Sequence, residues 1–302
     1  MMKRLIRKED GNTIVLFAFS LLALIAMTGL VIDGGKLFLT KSHLQKSANA
    51  AVLSGAQELT NKEDSVRMIV HETLEKHSEN HSLQNMHITM EDKVSVDLTK
   101  EVRLTFSQLF GFDTAPVNVH AAAELGTMGK AAGVAPLGID EGLGLEFNKE
   151  YKLKVDQTGV EAGNFGVLAL GGPGAATYED NLLYGYQSEL EVGDILETQT
   201  GNIAGKTRSS IKERINACPY PEGETHHRDC SRIILIPVYE KLDSGGKQLK
   251  EVKIKGFAYF YITKPMDSKD TSITGMFVKR AGTGFVKTVN ASKGAFSIRL
   301  TE

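Results

Sequence analysis

Residues 13–32, TIVLFAFSLLALIAMTGLVI, carry no charged side chain. At a helical rise of about 1.5 Å per residue, such a run spans about 30 Å, the thickness of a bilayer's hydrocarbon core. Backbone in lipid must satisfy its own hydrogen bonds, so the run predicts a transmembrane α-helix. Two other readings accommodate it. One is a buried helix of a soluble protein. The other is a signal peptide, with Lys3, Arg4, Arg7 and Lys8 as its basic flank and Ala26-Met27-Thr28 as its cleavage spot. The run is longer than a usual signal core, and that spot falls inside it.

Basic residues stand on both sides of the run, since Lys36, Lys41 and Lys46 follow it. The charge rule for orientation therefore acts weakly. The reading adopted is N-terminus inside and C-terminal domain outside, a choice that leans on the cysteines treated below.

Beyond the run, KLFLTKSHLQKSANAAVLSGAQEL (residues 36–59) contains no proline and continues as good helix, with Gly34-Gly35 as a hinge at the membrane surface. Leu37, Leu44 and Ala51 fall seven apart, and Ala48, Val52, Gly55 and Ala56 lie near the same face. Ser47, Ala50 and Ser54 add to a small-sided stretch that allows close helix approach. These residues form a candidate helix-packing interface. Periodicity shows a buried face but not its owner: sibling subunits, other partners or the chain's own ectodomain.

Gly11-Asn12 before the run, Asp33 after it, and Leu44-Gln45 leading into Ala48, Ala50, Ala51, Leu53, Ser54, Gly55 and Ala56 resemble the TadE/TadG-like module of tight-adherence pilus-assembly proteins. The resemblance covers about fifty residues. It implies a single-pass protein of a bacterial cell membrane, associated with Flp/Tad-type pilus or secretion machinery. Prepilin processing places a Glu five residues after the Gly, but here that position is Leu16. The chain is therefore closer to the unprocessed, TadG-like branch. The runs APLGID (135–140), GNFGVLALGGPGAATYEDNLLYGY (163–186), VGDILETQTGN (192–202) and RIILIPVYE (232–240) resemble a region that follows this module in some bacterial proteins, typically of Gram-positive type. No catalytic residues are implied.

Residues 61–81 read as an amphipathic helix with Val66, Ile69, Val70 and Leu74 on one face. Residues 86–90 and 94–98 alternate as strands do, Val102, Leu104 and Phe106 continue the period, residues 108–112 suggest a helical turn, and residues 117–123 another strand. A helix over a few strands makes a small α+β layer. His77 and His81 stand four apart near His71 and His87, a spacing that places two imidazoles on one metal if the helix continues through both. Glu72, Glu75 and Glu79 equally suit a solvated helix.

The glycines concentrate after residue 125, and the chain changes character there. Lys152 to Val155 and residues 190–196 alternate. Residues 232–239 form an apolar run suited to a buried strand, and 252–262 follow a turn at Ser244-Gly245-Gly246, so the two predict antiparallel neighbours. Residues 275–277 and 296–300 add late strands. Gly163-Asn164-Phe165-Gly166 and Gly171-Gly172-Pro173-Gly174 lack the Gly-Lys-Ser/Thr ending of a phosphate loop and read as tight turns.

Tyr178, Asp180, Asn181, Tyr184, Tyr186, Glu189 and Asp194 are polar enough to line a binding site. Ser209, Ser210, His226 and His227 supply hydrolase chemistry without a recognisable motif around either serine. Cys218 and Cys230 bracket a Pro- and Gly-containing loop and read as a disulfide outside the membrane; a zinc site with His226 and His227, or two free thiols, are the alternatives. Asn290-Ala291-Ser292 matches a glycosylation sequon. A net charge of −2 argues against a nucleic-acid partner.

The expected fold class is α+β. A basic cytoplasmic N-terminus (1–12) leads to a transmembrane helix (13–32), an amphipathic helical extension (33–60), a small α+β segment (61–126) and a Gly-rich, mainly antiparallel β ectodomain (127–302). The expected function is membrane-anchored assembly or scaffolding in a Tad/Flp-type apparatus. Its partners are the lipid bilayer, machinery proteins and further copies of the chain, with no cofactor, metal or catalytic role expected. An anchored binding module for an envelope polymer or secreted partner is the alternative, and an anchored hydrolase a third.

Overall fold

The computed structural model describes residues 10–154, 165–198, 203–242, 250–268, 271–286 and 292–301. The basic flank of Lys3, Arg4, Arg7 and Lys8 lies outside the described residues, as do Val155, Gly163-Asn164, the Ser244-Gly245-Gly246 turn, and Asn290-Ala291 of the sequon.

Helix α1 (Asp10–Ala56) runs for 47 residues, about 70 Å at the standard rise. Among the described residues it is the one helix long and apolar enough to cross a membrane. The large apolar side chains from Ile14 to Ile32 stand exposed, Phe17 and Phe19 each at 69%. Such a surface suits lipid better than water, and it is not packed in a protein core here. The Ser20 and Thr28 hydroxyls bond back to the Leu16 and Leu24 carbonyls at 2.9 and 2.8 Å, which removes their polarity from that surface. The expected hinge at Gly34-Gly35 is absent, because α1 passes through both without a break. Residues on either side of the glycines are tied to a loop of the ectodomain, as described below.

After a tight turn, α2 (Glu63–Lys76) runs back along α1. Glu63 and Asp64 occupy its first turn, where the helix dipole favours acids, and Val66, Val70 and Leu74 point inward at fourfold spacing. Strands β1 (Leu83–Thr89) and β2 (Lys93–Arg103) form a hairpin, and β3 (Thr114–Ala131) pairs with β2 over eleven positions. Val94, Val96 and Leu98 on β2 and Val117, Val119, Ala121 and Ala123 on β3 point at α1 and α2. The twofold alternation of the sequence is thus a helix-facing surface.

The remaining elements are β4 (Leu137–Asp140), β5 (Glu150–Lys154), β6 (Phe165–Val167), α3 (Ala175–Tyr184), β7 (Leu190–Glu191), β8 (Ile195–Glu197), α4 (Ala204–Ala217), β9 (Ile233–Lys241), β10 (Glu251–Lys264), β11 (Ser272–Val278), β12 (Arg280–Gly282), β13 (Phe285–Val286) and β14 (Ala295–Leu300). The described strands fall into two sheets. The first has the order β1-β2-β3-β14-β12, with β7 and β13 also on β3. The second has the order β5-β11-β10-β9-β4-β6, with β8 on β10. Nearly all pairs are antiparallel; β4/β9 and β12/β14 are parallel. The fold is α+β with a mainly β ectodomain.

The second sheet is covered on both faces, which explains the unbroken burial of residues 234–239. Ile234, Ile236 and Val238 share a cluster with Tyr178 and Leu182 of α3 and Ile211 of α4. Leu235 and Tyr239 face Met128 and Ala131 of the long β3. On β10 the register shifts between Ile254 and Gly256. Val252 and Ile254 before the bulge face the first sheet, while Ala258, Phe260 and Ile262 after it face the helices. One inserted residue swaps the faces of a strand, so a single continuous strand feeds two cores.

Two expectations change. Helices α3 and α4 stand where only β structure and loops were anticipated. Strand β3 also runs through residues 126 and 127 without interruption, and β14 joins it from the far end of the chain. The composition shift near residue 126 therefore falls inside a shared strand.

Candidate functional site

The junction of α1 with the ectodomain gathers most of the residues singled out in the sequence. Leu44, Ala48, Ala51, Val52 and Ala56 are all fully buried, with Leu37 partly so. What buries them is the chain itself, through α2 and the inner faces of β2 and β3. The small side chains let these elements close on the helix. At Gly55 the approach is tightest, since an added β-carbon would stand 2.5 Å from Val70 Cγ2. Of the owners considered for this face, the ectodomain occupies it.

Two carboxylates lock the junction. Asp33, 2% exposed, accepts backbone N–H bonds from Thr105 (2.7 Å), Phe106 (3.0 Å) and Ser107 (2.7 Å), and the Ser107 hydroxyl at 2.8 Å. The loop after β2 ends in a short 3-10 turn, Ser107–Phe110, and Asp33 supplies the acceptor for the donors at its start. One turn away, Lys36 Nζ donates to the Arg103 carbonyl at 2.7 Å. Glu79, also 2% exposed, accepts from Ser82 Oγ at 2.7 Å and Lys100 Nζ at 2.5 Å, with His43 Nδ1 of α1 at 3.3 Å. Burial alone would raise the Glu79 pKa; the donors from Lys100 and Ser82 and the charge of Lys100 outweigh it and hold the carboxyl below its ordinary value. Both acids tie α1 to the sheet, and motif reading at the sequence level assigned neither a partner.

The histidine spacing does not build a metal site on α2. The helix ends at Lys76, His77 caps it, and His81 lies in the following 3-10 turn Asn80–Ser82. The shared helical face that the spacing required is therefore missing. His71 Nδ1 pairs with Asn80 Oδ1 at 2.9 Å.

Cys218 and Cys230 are joined in a disulfide, their Cα atoms 4.9 Å apart, so neither sulfur is free to bind zinc. The bridge packs against Tyr261 and Val278 of the second sheet. Within the loop, Glu224, His226 and His227 bring donor atoms within 4.8 Å of one another, a spacing that suits a metal ion. His227 Nε2 engages Glu224 Oε2 at 2.7 Å, and its ring stacks on Tyr220 with centroids 3.5 Å apart. Arg214 reaches from α4 to the Leu182, Leu183 and Ser231 carbonyls at 2.6, 2.8 and 2.6 Å. It thereby caps α3 and fixes the disulfide loop to both helices.

The polar central region divides. Tyr178 is buried in the core and its hydroxyl bonds Thr207 Oγ1 at 2.9 Å; Asn181 donates to the Leu170 carbonyl. Asp194 accepts from the Glu191 amide, and Glu189 pairs with Lys130. Tyr184 stands 70% exposed. Gly171, Gly172 and Gly174 take positive φ angles of 77°, 108° and 150° in the turn that leads into α3, the conformational use expected of them. Ser209 bonds to carbonyls within α4 and to Glu179, while Ser210 is buried in the same helix.

No curated protein matches the chain, and no solved structure does. Residues 11–58 match the family model described as Flp pilus-assembly TadE/G-like. That segment coincides with α1 up to the turn that starts α2, so the matched module is the exposed apolar run together with the helix that the ectodomain grips. Over this N-terminal module, residues 11–58, the chain is similar to the TadE/G-like proteins of Flp pilus assembly.

Proposed function

We propose that the chain is a membrane-anchored scaffold of a Flp/Tad-type pilus or secretion apparatus, with its C-terminal domain outside the cell membrane. The observation that carries this reading is the match of residues 11–58, which takes in both the apolar run and the stretch of helix that the ectodomain grips. The mechanism is positional. An exposed apolar span enters the bilayer, and Asp33 and Glu79 fasten the domain to its continuation, so the ectodomain sits at a fixed height and orientation. The Cys218–Cys230 bridge supports the outward orientation, because such bonds persist in oxidising compartments. Gly11 followed by Leu16 rather than an acid supports the unprocessed, TadG-like branch.

The test is deletion of the gene in its host. Loss of pilus assembly or secretion, restored by the intact chain, is the expected result. Assembly that proceeds unchanged without the protein would exclude the role.

A further inference from the structure

The loop between β2 and β3 carries FSQLFGF at residues 106–112, and three of its apolar side chains stand exposed. Leu109 is 79% exposed, Phe110 67% and Phe112 65%. A cluster this apolar on an aqueous surface is costly and marks a contact. The loop lies not beside the ectodomain's upper surface but along α1, below Asp33. Phe106 packs on Gly29, where an added β-carbon would stand 2.6 Å from its ring. Further down, Leu109 and Phe110 border a cleft whose other wall is Leu22, Ile25 and Leu30 of the apolar run. Leu22 precedes Asp33 by eleven residues, about 16 Å along the helix. Any bilayer that accommodates residues 13–32 therefore surrounds the loop tip as well.

We infer that residues 106–112 are a second membrane element, inserting Leu109, Phe110 and Phe112 into the outer-leaflet lipid beside the transmembrane helix. The inference rests on the membrane-spanning reading of α1 and on continuity with that lipid-facing surface. Much of the loop's backbone is paired, as non-helical chain in hydrocarbon requires. Thr105, Phe106 and Ser107 donate to Asp33. Leu109, Gly111 and Phe112 donate to the carbonyls of Phe106, Gln108 and Ser107. Gly111 takes a φ of +87°, which closes the turn tightly enough for these bonds. Gln108, the polar side chain at the tip, is long enough to reach toward the headgroups. The charges stand at the right level. Lys36 and Arg103 are both exposed on the ectodomain side of the Asp33 clamp, at the height of anionic headgroups.

The chain contains no tryptophan, so one introduced indole reports without background. The full-length protein would be reconstituted into vesicles of phosphatidylcholine and phosphatidylglycerol, with or without bromine on the acyl chains. Phe110→Trp is compared with Phe17→Trp in the span and Tyr184→Trp on the distal surface. The expected result is blue-shifted emission, protection from acrylamide and loss of emission in bromolipid for Phe110→Trp and Phe17→Trp, with neither shift nor loss for Tyr184→Trp. If Phe17→Trp is quenched by bromolipid while Phe110→Trp behaves like Tyr184→Trp, the insertion is wrong and the anchor stands. Emission of Phe110→Trp that is blue-shifted but unaffected by bromolipid assigns the loop to a protein contact and overturns the inference. If Phe17→Trp itself escapes quenching, the anchor reading falls and the inference falls with it.

Discussion

Val70 occupies the space that Gly55 leaves by lacking a side chain, with a hypothetical β-carbon on Gly55 falling 2.5 Å from Val70 Cγ2. Flexible side chains can yield, but Val70 is fully buried and branched. Gly55→Ala is therefore expected to destabilise the junction by about 1–3 kcal/mol through overpacking, despite the better helix propensity of alanine. Gly34→Ala, on the same helix with nothing within 4 Å, is expected to be neutral or stabilising by up to ~1 kcal/mol. Chemical denaturation of the two variants in detergent compares them directly.

Replacing Asp33 by alanine removes the acceptor for three backbone donors and one hydroxyl. Leaving these partly buried donors unpaired costs up to roughly 1–3 kcal/mol each, so the loop is expected to detach locally rather than stay in place unpaired. Hydrogen exchange at the amides of residues 105–107 would then quicken, while the amides of Val94, Val96 and Leu98 stay protected. Uniform quickening across both sets would mean global loss of structure instead.

Glu79 makes the junction sensitive to acid. Its folded pKa lies below the ordinary carboxylate value, so its contribution is fully present above that ordinary value and is lost as pH falls through the folded pKa. Glu79→Gln is expected to flatten the acid limb of the stability curve and to lower stability at pH 7 by about 1–3 kcal/mol. Denaturant midpoints from pH 7 down to pH 3 measure both effects. A variant that keeps the wild-type acid slope would show that other carboxylates govern it.

The Cys218–Cys230 bridge closes a short loop between α4 and β9. The loop-entropy model gives it on the order of 3 kcal/mol. A Cys218→Ser/Cys230→Ser double variant is expected to lose about that much, and reductant should lower the wild-type denaturation midpoint without affecting the variant's.

Arg214→Ala is expected to destabilise the contact between α3, α4 and the disulfide loop, because three carbonyls lose one shared donor group. Arg214→Lys should rescue little, since a single ammonium cannot reproduce the planar fork. Thermal unfolding of both variants beside the wild type checks the order.

The elements legible in the sequence were those with a strong period. The uncharged run, the alternation of Val94, Val96 and Leu98, and the fourfold spacing of Val66, Val70 and Leu74 all express burial on one face, which periodicity records directly. Helix α4 was not legible: its buried face includes Thr207 and Ser210, so Ile211 stands without an apolar stripe around it. Helix α3 opens from a Gly-Pro-Gly turn and hides its core residue Tyr178 among polar neighbours. The face of Leu44, Ala48 and Ala51 was visible, but its owner was not, because periodicity carries no information about who fills a groove. The Asp33 clamp spans 72 to 74 residues, and Gly29 and Phe106 meet over a similar separation. Contacts of that range leave no local signature.

Strand β14 pairs with residues 123–127 of β3 although about 170 residues of chain lie between them. The distal sheet is thus an insertion within the sheet that grips the anchor. At a translation rate of ~5–20 residues per second, roughly ten to thirty seconds separate the synthesis of these two partners. The anchor and its α2, β2 and β3 socket are therefore made well before β14 arrives to cover the edge of β3. Through that interval the open edge of β3 is exposed to other strands, and a helper that shields it would act on the nascent chain rather than on the finished protein.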